Sequence, residues 1–276
     1  MCLGILEEDW DVAILLDACR YDMFKKVYRK YLPKGRLEKR VGANETIEWL
    51  YKNFPKKHYP DIVYVSGHPG INSLGVPWGR FNAKEKFAKV YDAWLYGWDK
   101  RIGTTRPEAV RKMAIKAVKE NPNKRIIVHF MQPHIPYRGI PYPEYLLQSF
   151  GFKKTKSLTF KLRGFFGKII DTNFYLRIFY FWFKHTISNP KIVIGGKNQM
   201  EYFYVKKFKN KLKYYYKDNL KWALESVKRF CKSYKERKIV ITADHGEAFG
   251  ERNHFFHPPF NNNPIIRYVP FYRVNF

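Results

Sequence analysis

The chain has 276 residues, 45% of them hydrophobic and 18% aromatic, and its 52 Lys and Arg against 24 Asp and Glu give a formal charge of +28. That length can bury a substantial core, and the ordinary apolar content excludes wholesale disorder in spite of the charge. The surplus suits an anionic partner such as nucleic acid, an anionic membrane surface or a phosphorylated or sulfated substrate, with a Lys-rich solvated surface as the plain alternative. It is segregated: residues 151–238 carry 23 basic and 5 acidic side chains, whereas residues 1–22 carry six acids and one Arg.

In chain order, the first strong element is the β-branched apolar run from Val12 to Leu16, closed by Asp17, which reads as a buried parallel strand with an acid at its carboxyl end. A helical pattern follows from about Cys19 to Tyr31. Further strands are expected over 62–66, 125–130, 238–242 and 269–274. Residues 107–120 are the clearest helix, with Pro107 at its first position and apolar side chains at 110, 113, 114, 117 and 118. A longer helix is expected from about 201 to 234, apolar at 205, 208, 212, 216, 220, 224 and 227.

Alternating strands and helices predict an α/β fold, a three-layer αβα sandwich around a mainly parallel sheet, in which ligands bind beyond the carboxyl ends of the strands. The rhythm breaks over 138–200, which reads as a basic, aromatic insertion or cap within a single catalytic domain spanning 1–276. Its aromatic stretch from Phe165 to Phe183 contains Lys168, Asp171 and Arg177, a poor composition for spanning a bilayer. It suits either a peripheral contact with an anionic membrane or a buried subdomain. Cys2, Cys19 and Cys231 form neither an even disulfide framework nor a metal-binding spacing, and the first residues show no secretory leader. Both point to a reducing, cytoplasmic location.

The reactive residues fall at or just past the ends of these strands. Asp17, His129 and the pair Asp244-His245 would meet on one rim, and five of the eight His (His129, His134, His245, His254 and His257) lie in just two segments. Carboxylates with imidazoles suit a divalent cation. Taken singly, each has a structural alternative: an Asp after a strand caps the next helix, and a lone His is a packed residue. The run Asp244-His245-Gly246-Glu247 is more specific, because adjacent acid and imidazole before a flexible Gly make a poor generic turn.

The string from Ile241 to Glu251, with Asp244-His245-Gly246-Glu247 at its centre, resembles the signature of the sulfatase-like branch of the alkaline phosphatase superfamily. It is similar in particular to phosphoethanolamine and phosphoglycerol transferases and to archaeal sulfatase-like proteins. The segment His129-Phe-Met-Gln-Pro-His134 resembles that group's second histidine motif, and His257-Pro258 falls where its late histidine is expected. Asp9 to Asp22 resembles the first metal-acid strand, and Tyr216-Lys-Asp-Asn219 looks like the helix before the last motif. The motifs recur in order from residue 9 to the end of the sequence.

The resemblance implies an alkaline-phosphatase-like fold and a cation-dependent hydrolase or transferase acting on an anionic phosphate ester, less readily a sulfate ester. Asp17, Thr46, Asp244 and His245 would hold a divalent cation (Zn, Mn, Mg or Ca). Thr46 would be the activated nucleophile, and His134 and His257 would hold the transferred group or a second ion. Thr46 is the sole Ser, Thr or Cys in 40–50 and precedes a helical pattern, so the alternative role is a plain N-cap. Several relatives have Pro just after the nucleophile, where Ile47 stands here. No Cys lies in the Cys-x-Pro-x-Arg context of formylglycine sulfatases, which favours phosphate over sulfate.

Three residues are candidate substrate contacts. Arg20 is either an anion clamp or the partner of Asp22, His129 fits either the ligand set or its surround, and Asn219 either points into the site or belongs to a polar helix face. Glu247 would orient His245 or be solvated, and His254 would lie on the surface. The competing reading is a noncatalytic basic protein that binds nucleic acid or another polyanion through the Lys and aromatic residues of 202–217, against which stands a solvated Lys face on a packed helix.

Overall fold

The five apolar runs form the interior of one seven-stranded sheet, and the two strands with no such run form its edges. The computed structural model describes residues 4–140, 199–258 and 263–275. The strands are β1 (Val12–Leu16), β2 (Gly35–Val41), β3 (Tyr59–Ser66), β4 (Phe87–Asp92), β5 (Arg125–Phe130), β6 (Ile239–Thr242) and β7 (Tyr268–Val274), in the spatial order β2-β7-β6-β1-β5-β3-β4. β7 runs antiparallel to both neighbours, and the pairings among β6, β1, β5, β3 and β4 are parallel.

The register sets the rim. Leu16 pairs with Phe130, Leu15 with Thr242 and Ser66 with His129, so the residues after β1, β3, β5 and β6 emerge at one level. Parallel strands whose side chains are buried on both faces bring their carboxyl ends to the same side.

Four helices of this unit matter to the site: α1 (Tyr21–Lys25), α2 (Thr46–Asn53), α3 (Pro107–Glu120) and α4 (Leu212–Ser233). On one face, Trp49 and Leu50 of α2 join Ala13, Leu15, Tyr64, Ile127 and Phe271 in a continuous core. On the other, α3 packs on β5 and β3, and α4 packs on α3. This is the three-layer α/β arrangement expected from the alternation. Along α4, Leu212, Tyr216, Leu220, Leu224 and Val227 are buried, as its 3.6-residue period requires.

Two helical expectations are corrected. The pattern from Cys19 to Tyr31 yields the short α1 and a 3-10 turn, Tyr28–Lys30. The helix expected over 201–234 divides into Gln199–Phe208, a 3-10 turn Lys209–Lys211, and α4. Like charges four residues apart, at 207 and 211 and at 209 and 213, disfavour one continuous helix there.

By contacts the chain divides into two compact units, Met1–Pro141 with Lys209–Phe276, and Tyr142–Phe208. Nearly all of the insertion expected over 138–200, including the Phe165–Phe183 stretch, lies outside the described residues. Among the described residues no helix is long and apolar enough to cross a membrane.

Candidate active site

β1 ends at Leu16, and Ala18 then takes a left-handed conformation, φ 59°, that turns the chain away from the sheet. Asp17 is thereby left at the strand tip, its N–H donating to the Phe130 carbonyl at 3.0 Å and its own carbonyl accepting from the His134 N–H at 3.2 Å. From β6, Asp244 reaches the same point. Its Oδ1 accepts from the backbone N–H groups of Ala18 (3.0 Å) and His245 (2.9 Å).

The third element is the start of α2. Thr46 is the first residue of that helix, Glu45 occupies the cap without a side-chain bond, and the Thr46 hydroxyl donates to Asp244 Oδ2 at 2.6 Å. The hydroxyl is therefore not capping its helix. Glycine makes this approach possible: a Cβ at Gly42 would stand 2.5 Å from the Asp244 carbonyl oxygen, which also accepts from the Ala43 N–H at 2.8 Å.

His245 completes the group. Its Nδ1–H donates to the Gly246 carbonyl at 2.9 Å, which leaves the lone pair on Nε2, 3.6 Å from both Asp17 Oδ1 and Asp244 Oδ2. His129 Nε2 lies 3.5 Å from Asp17 Oδ2, with its Nδ1 on the Tyr64 hydroxyl at 2.9 Å. Asp17 Oδ1, His129 Nε2 and His245 Nε2 are buried and have no hydrogen-bond partner among the described residues. Separations of 3.5–3.6 Å are long for hydrogen bonds. They match the edges of a tetrahedron whose ligands sit about 2.1 Å from a central ion. The residues fit a divalent cation.

A second cluster sits toward the mouth. Glu247 Oε1 lies 3.7 Å from His134 Nε2 and 3.9 Å from His257 Nδ1, both imidazoles being 18% exposed. The His257 ring is 4.4 Å from that of His245 and 5.0 Å from that of His134, centroid to centroid. Burial, together with the neighbouring His245 and His134, holds the His257 pKa well below its ordinary value and keeps the ring neutral. Burial alone would raise the Asp17 carboxyl; the imidazoles of His134, His129 and His245 outweigh it and hold the pKa below the ordinary value.

The candidates thus divide. Asp17, Thr46, Asp244, His245 and His129 come together, and His134 and His257 adjoin them through Glu247. His254 joins neither cluster. Of the two readings of Arg20, anion clamp or partner of Asp22, the structure forms the second, with the guanidinium buried in a strut. It donates to Asp22 at 2.9 and 2.8 Å, to Glu251 Oε1 at 3.0 Å and to the Glu247 carbonyl at 3.2 Å. Asn219 is also committed elsewhere, to the backbone of 134–138. Glu247 is more central than its expected role beside His245.

His68, just past β3, was not singled out from the sequence. Its ring stacks on Trp78 at 4.5 Å and lies 6.0 Å from His129. Its only signal was a His directly after an apolar strand.

No protein-family model and no curated protein matches the chain. Solved structures do. The C-terminal periplasmic domain of EcEptC from Escherichia coli aligns over 97% of this chain and 73% of its own, at 13% identity and TM-score 0.50. The C-terminal periplasmic domain of phosphoethanolamine transferase EptC from Campylobacter jejuni covers 95% and 77%, at 13% identity and TM-score 0.44. A protein in the alkaline phosphatase superfamily from Vibrio parahaemolyticus covers 97% and 60%, at 11% identity and TM-score 0.45.

The chain shares its fold with the periplasmic domain of EcEptC, in keeping with the three-layer α/β arrangement expected from the sequence.

One expectation is overturned. A cytoplasmic location does not stand, because the matching EcEptC structure is a periplasmic domain. The cysteines misled for a physical reason. Cys19 and Cys231 are free and buried, and burial pushes the Cys19 thiol well up and that of Cys231 to about 12. Sequestered, protonated thiols are inert in oxidising and reducing compartments alike.

Proposed function

We propose that the chain is an extracytoplasmic, divalent-cation-dependent enzyme that transfers or hydrolyses a phosphate ester, with Thr46 as the nucleophile. The observation that carries this reading is the Thr46 hydroxyl, 2.6 Å from Asp244 Oδ2 at the first turn of α2 and beside three buried, unpartnered ligand atoms. The compartment is supported by the fold shared with a periplasmic domain. Phosphate is favoured over sulfate by the lack of a formylglycine context around any Cys.

Asp17, Asp244, His245 and Thr46 would hold the cation, and mixed carboxylate, imidazole and hydroxyl donors suit Zn or Mn better than Mg or Ca. When bound, it would lower the Thr46 pKa and neutralise charge on the phosphoryl oxygens. Thr46 Oγ1 attacks phosphorus in line, its proton held toward Asp244 Oδ2. The P–O bond to the leaving alcohol breaks as the P–Oγ1 bond forms; the Thr46 hydroxyl proton passes to solvent and the leaving oxygen takes one up from solvent, so protons balance. The phosphothreonine then passes its phosphoryl group to water or to an acceptor hydroxyl. The N-terminal N–H groups of α2 and the neutral His257 face the developing charge, and His134 with Glu247 completes the mouth.

The test is turnover of phosphate mono- and diesters and sulfate esters with Zn, Mn, Mg or Ca, together with mass spectrometry for phosphothreonine at residue 46. Thr46→Ala is expected to abolish the adduct and lower kcat at least about a thousandfold, and Thr46→Ser to retain the adduct. Full turnover by Thr46→Ala removes the nucleophile, and the lack of both turnover and cation binding removes the enzyme reading.

A further inference from the structure

Two buried polar side chains on α4 each fix a segment that carries a candidate site residue. Tyr216 and Asn219 are fully buried and lie one turn apart on the same helix face. The Tyr216 hydroxyl accepts from the Arg20 N–H at 2.8 Å and donates to the Ala18 carbonyl at 2.8 Å. It thereby closes the turn in which Ala18 holds φ 59°, a region that a residue with a Cβ occupies only under constraint. That turn sets Asp17 at the end of β1 and aims the Ala18 N–H at Asp244 Oδ1, 3.0 Å away. Both acids of the inner cluster adjoin it, Asp17 in sequence and Asp244 through that hydrogen bond.

Asn219 does the same for the mouth. Its Oδ1 accepts from the Arg138 N–H at 2.9 Å, and its Nδ2 donates to the carbonyls of Pro136 at 3.0 Å and His134 at 3.2 Å. Three bonds from one amide bracket the segment that presents His134. In this arrangement both side chains bond to backbone groups, Tyr216 at 18 and 20 and Asn219 at 134, 136 and 138.

We propose that Tyr216 and Asn219 are a pair of positioning residues through which α4 sets the inner cluster and the mouth cluster. This rests on the reading of the rim as a cation-dependent phosphoester site. It assigns to Asn219 a positioning role in place of substrate contact, and to Tyr216 a function beyond filling the core.

The experiment uses the full chain, with Zn2+ affinity by competition titration and the d–d absorption of the Co2+-loaded protein as readouts beside turnover. Tyr216→Phe keeps the ring and removes both bonds. Its Zn2+ affinity is expected to fall about ten- to a hundredfold, with an altered Co2+ spectrum. Ala18→Gly makes the left-handed turn easy without the phenol. The double variant Ala18→Gly/Tyr216→Phe is therefore expected to recover most of the lost affinity, whereas a residue that merely packs would give independent effects.

Asn219→Leu is expected to lower kcat about tenfold while Zn2+ affinity stays within about twofold, because His134 lies outside the inner cluster. Unchanged affinity and spectrum in Tyr216→Phe, or unchanged kcat in Asn219→Leu, overturns the pair whatever happens to the melting temperature. If Tyr216→Phe does not fold, the double variant and Asn219→Leu carry the same decision. Wild type that binds neither Zn2+ nor Co2+ overturns the cation reading itself, which separates that failure from this one.

Discussion

The two histidine-bearing clusters of the rim are built differently. The inner one stands on the ends of β1, β5 and β6 and the first residue of α2, and its Asp17, Asp244, His129 and His245 are almost wholly buried. The outer one stands on loops, with His134 and His257 each 18% exposed around a buried Glu247. Strand ends hold ligand atoms to the precision a cation needs, whereas a loop-borne, part-exposed set can meet a substrate that must enter and leave. Under the proposed function, cation binding would fall chiefly to the inner cluster and contact with the transferred group chiefly to the outer.

The sharpest way to break that division is Asp244→Asn. Changes to groups that merely orient ligands cost about ten- to a hundredfold in metal affinity; removal of this charge is expected to cost more than that and to abolish turnover. Zn2+ titration and ester assays of the full chain check it, and retained tight binding would contradict the inner assignment. A smaller effect is expected of His257→Ala: kcat lower by about a hundredfold, with inner-site affinity nearly unchanged. If this variant lost Zn2+ as severely as Asp244→Asn, the two clusters would be one.

The smallest effect concerns the strut behind both. Burial works against the Glu251 charge, but the Phe249 N–H, Lys213 and Arg20 outweigh it and bring its pKa from 4.5 to about 2. A depressed folded value contributes stability that is fully present above the unfolded value and is lost as pH falls through the folded one. Between pH 4.5 and about 2, therefore, wild type is expected to lose stability more steeply than Glu251→Gln, measured by urea unfolding across that range. Parallel curves would show that the Arg20 strut does not depend on this acid.

Much of the sheet was legible because its five inner strands are buried on both faces and read as apolar runs. The edges were not. β2, Gly-Arg-Leu-Glu-Lys-Arg-Val, is largely exposed or half-buried and carries ion pairs from Arg40 to Glu8 and Glu38, and β4 mixes Lys89 with apolar residues. Neither strand shows the 2-residue alternation that marks a half-buried strand, because β2 is exposed or half-buried along its whole length and β4 buries three consecutive residues at its end. In the site, the acids and imidazoles after strands could be read from position alone.

Roles that depend on which partner wins could not be read in the same way. Arg20 had Asp22 in view two residues on, but Glu251 comes from 231 residues away. Asn219 reads as a polar helix residue until the loop it brackets is folded against it. Glu247 was seen beside His245, whereas its place between His134 and His257 requires three segments at once.

The position of β7 has a consequence for how the molecule comes into being. Among the described residues, β2 has a single sheet neighbour, β7, the latest strand in the chain, which also bonds to β6. During synthesis β1, β5 and β6 can pair before β7 emerges, but β2, and with it the loop that leads to Thr46, has no seat on the sheet until then. The strand that leads toward Thr46 is thus seated last, although Trp49 and Leu50 of the helix that Thr46 begins already have their core partners on β1, β3 and β5.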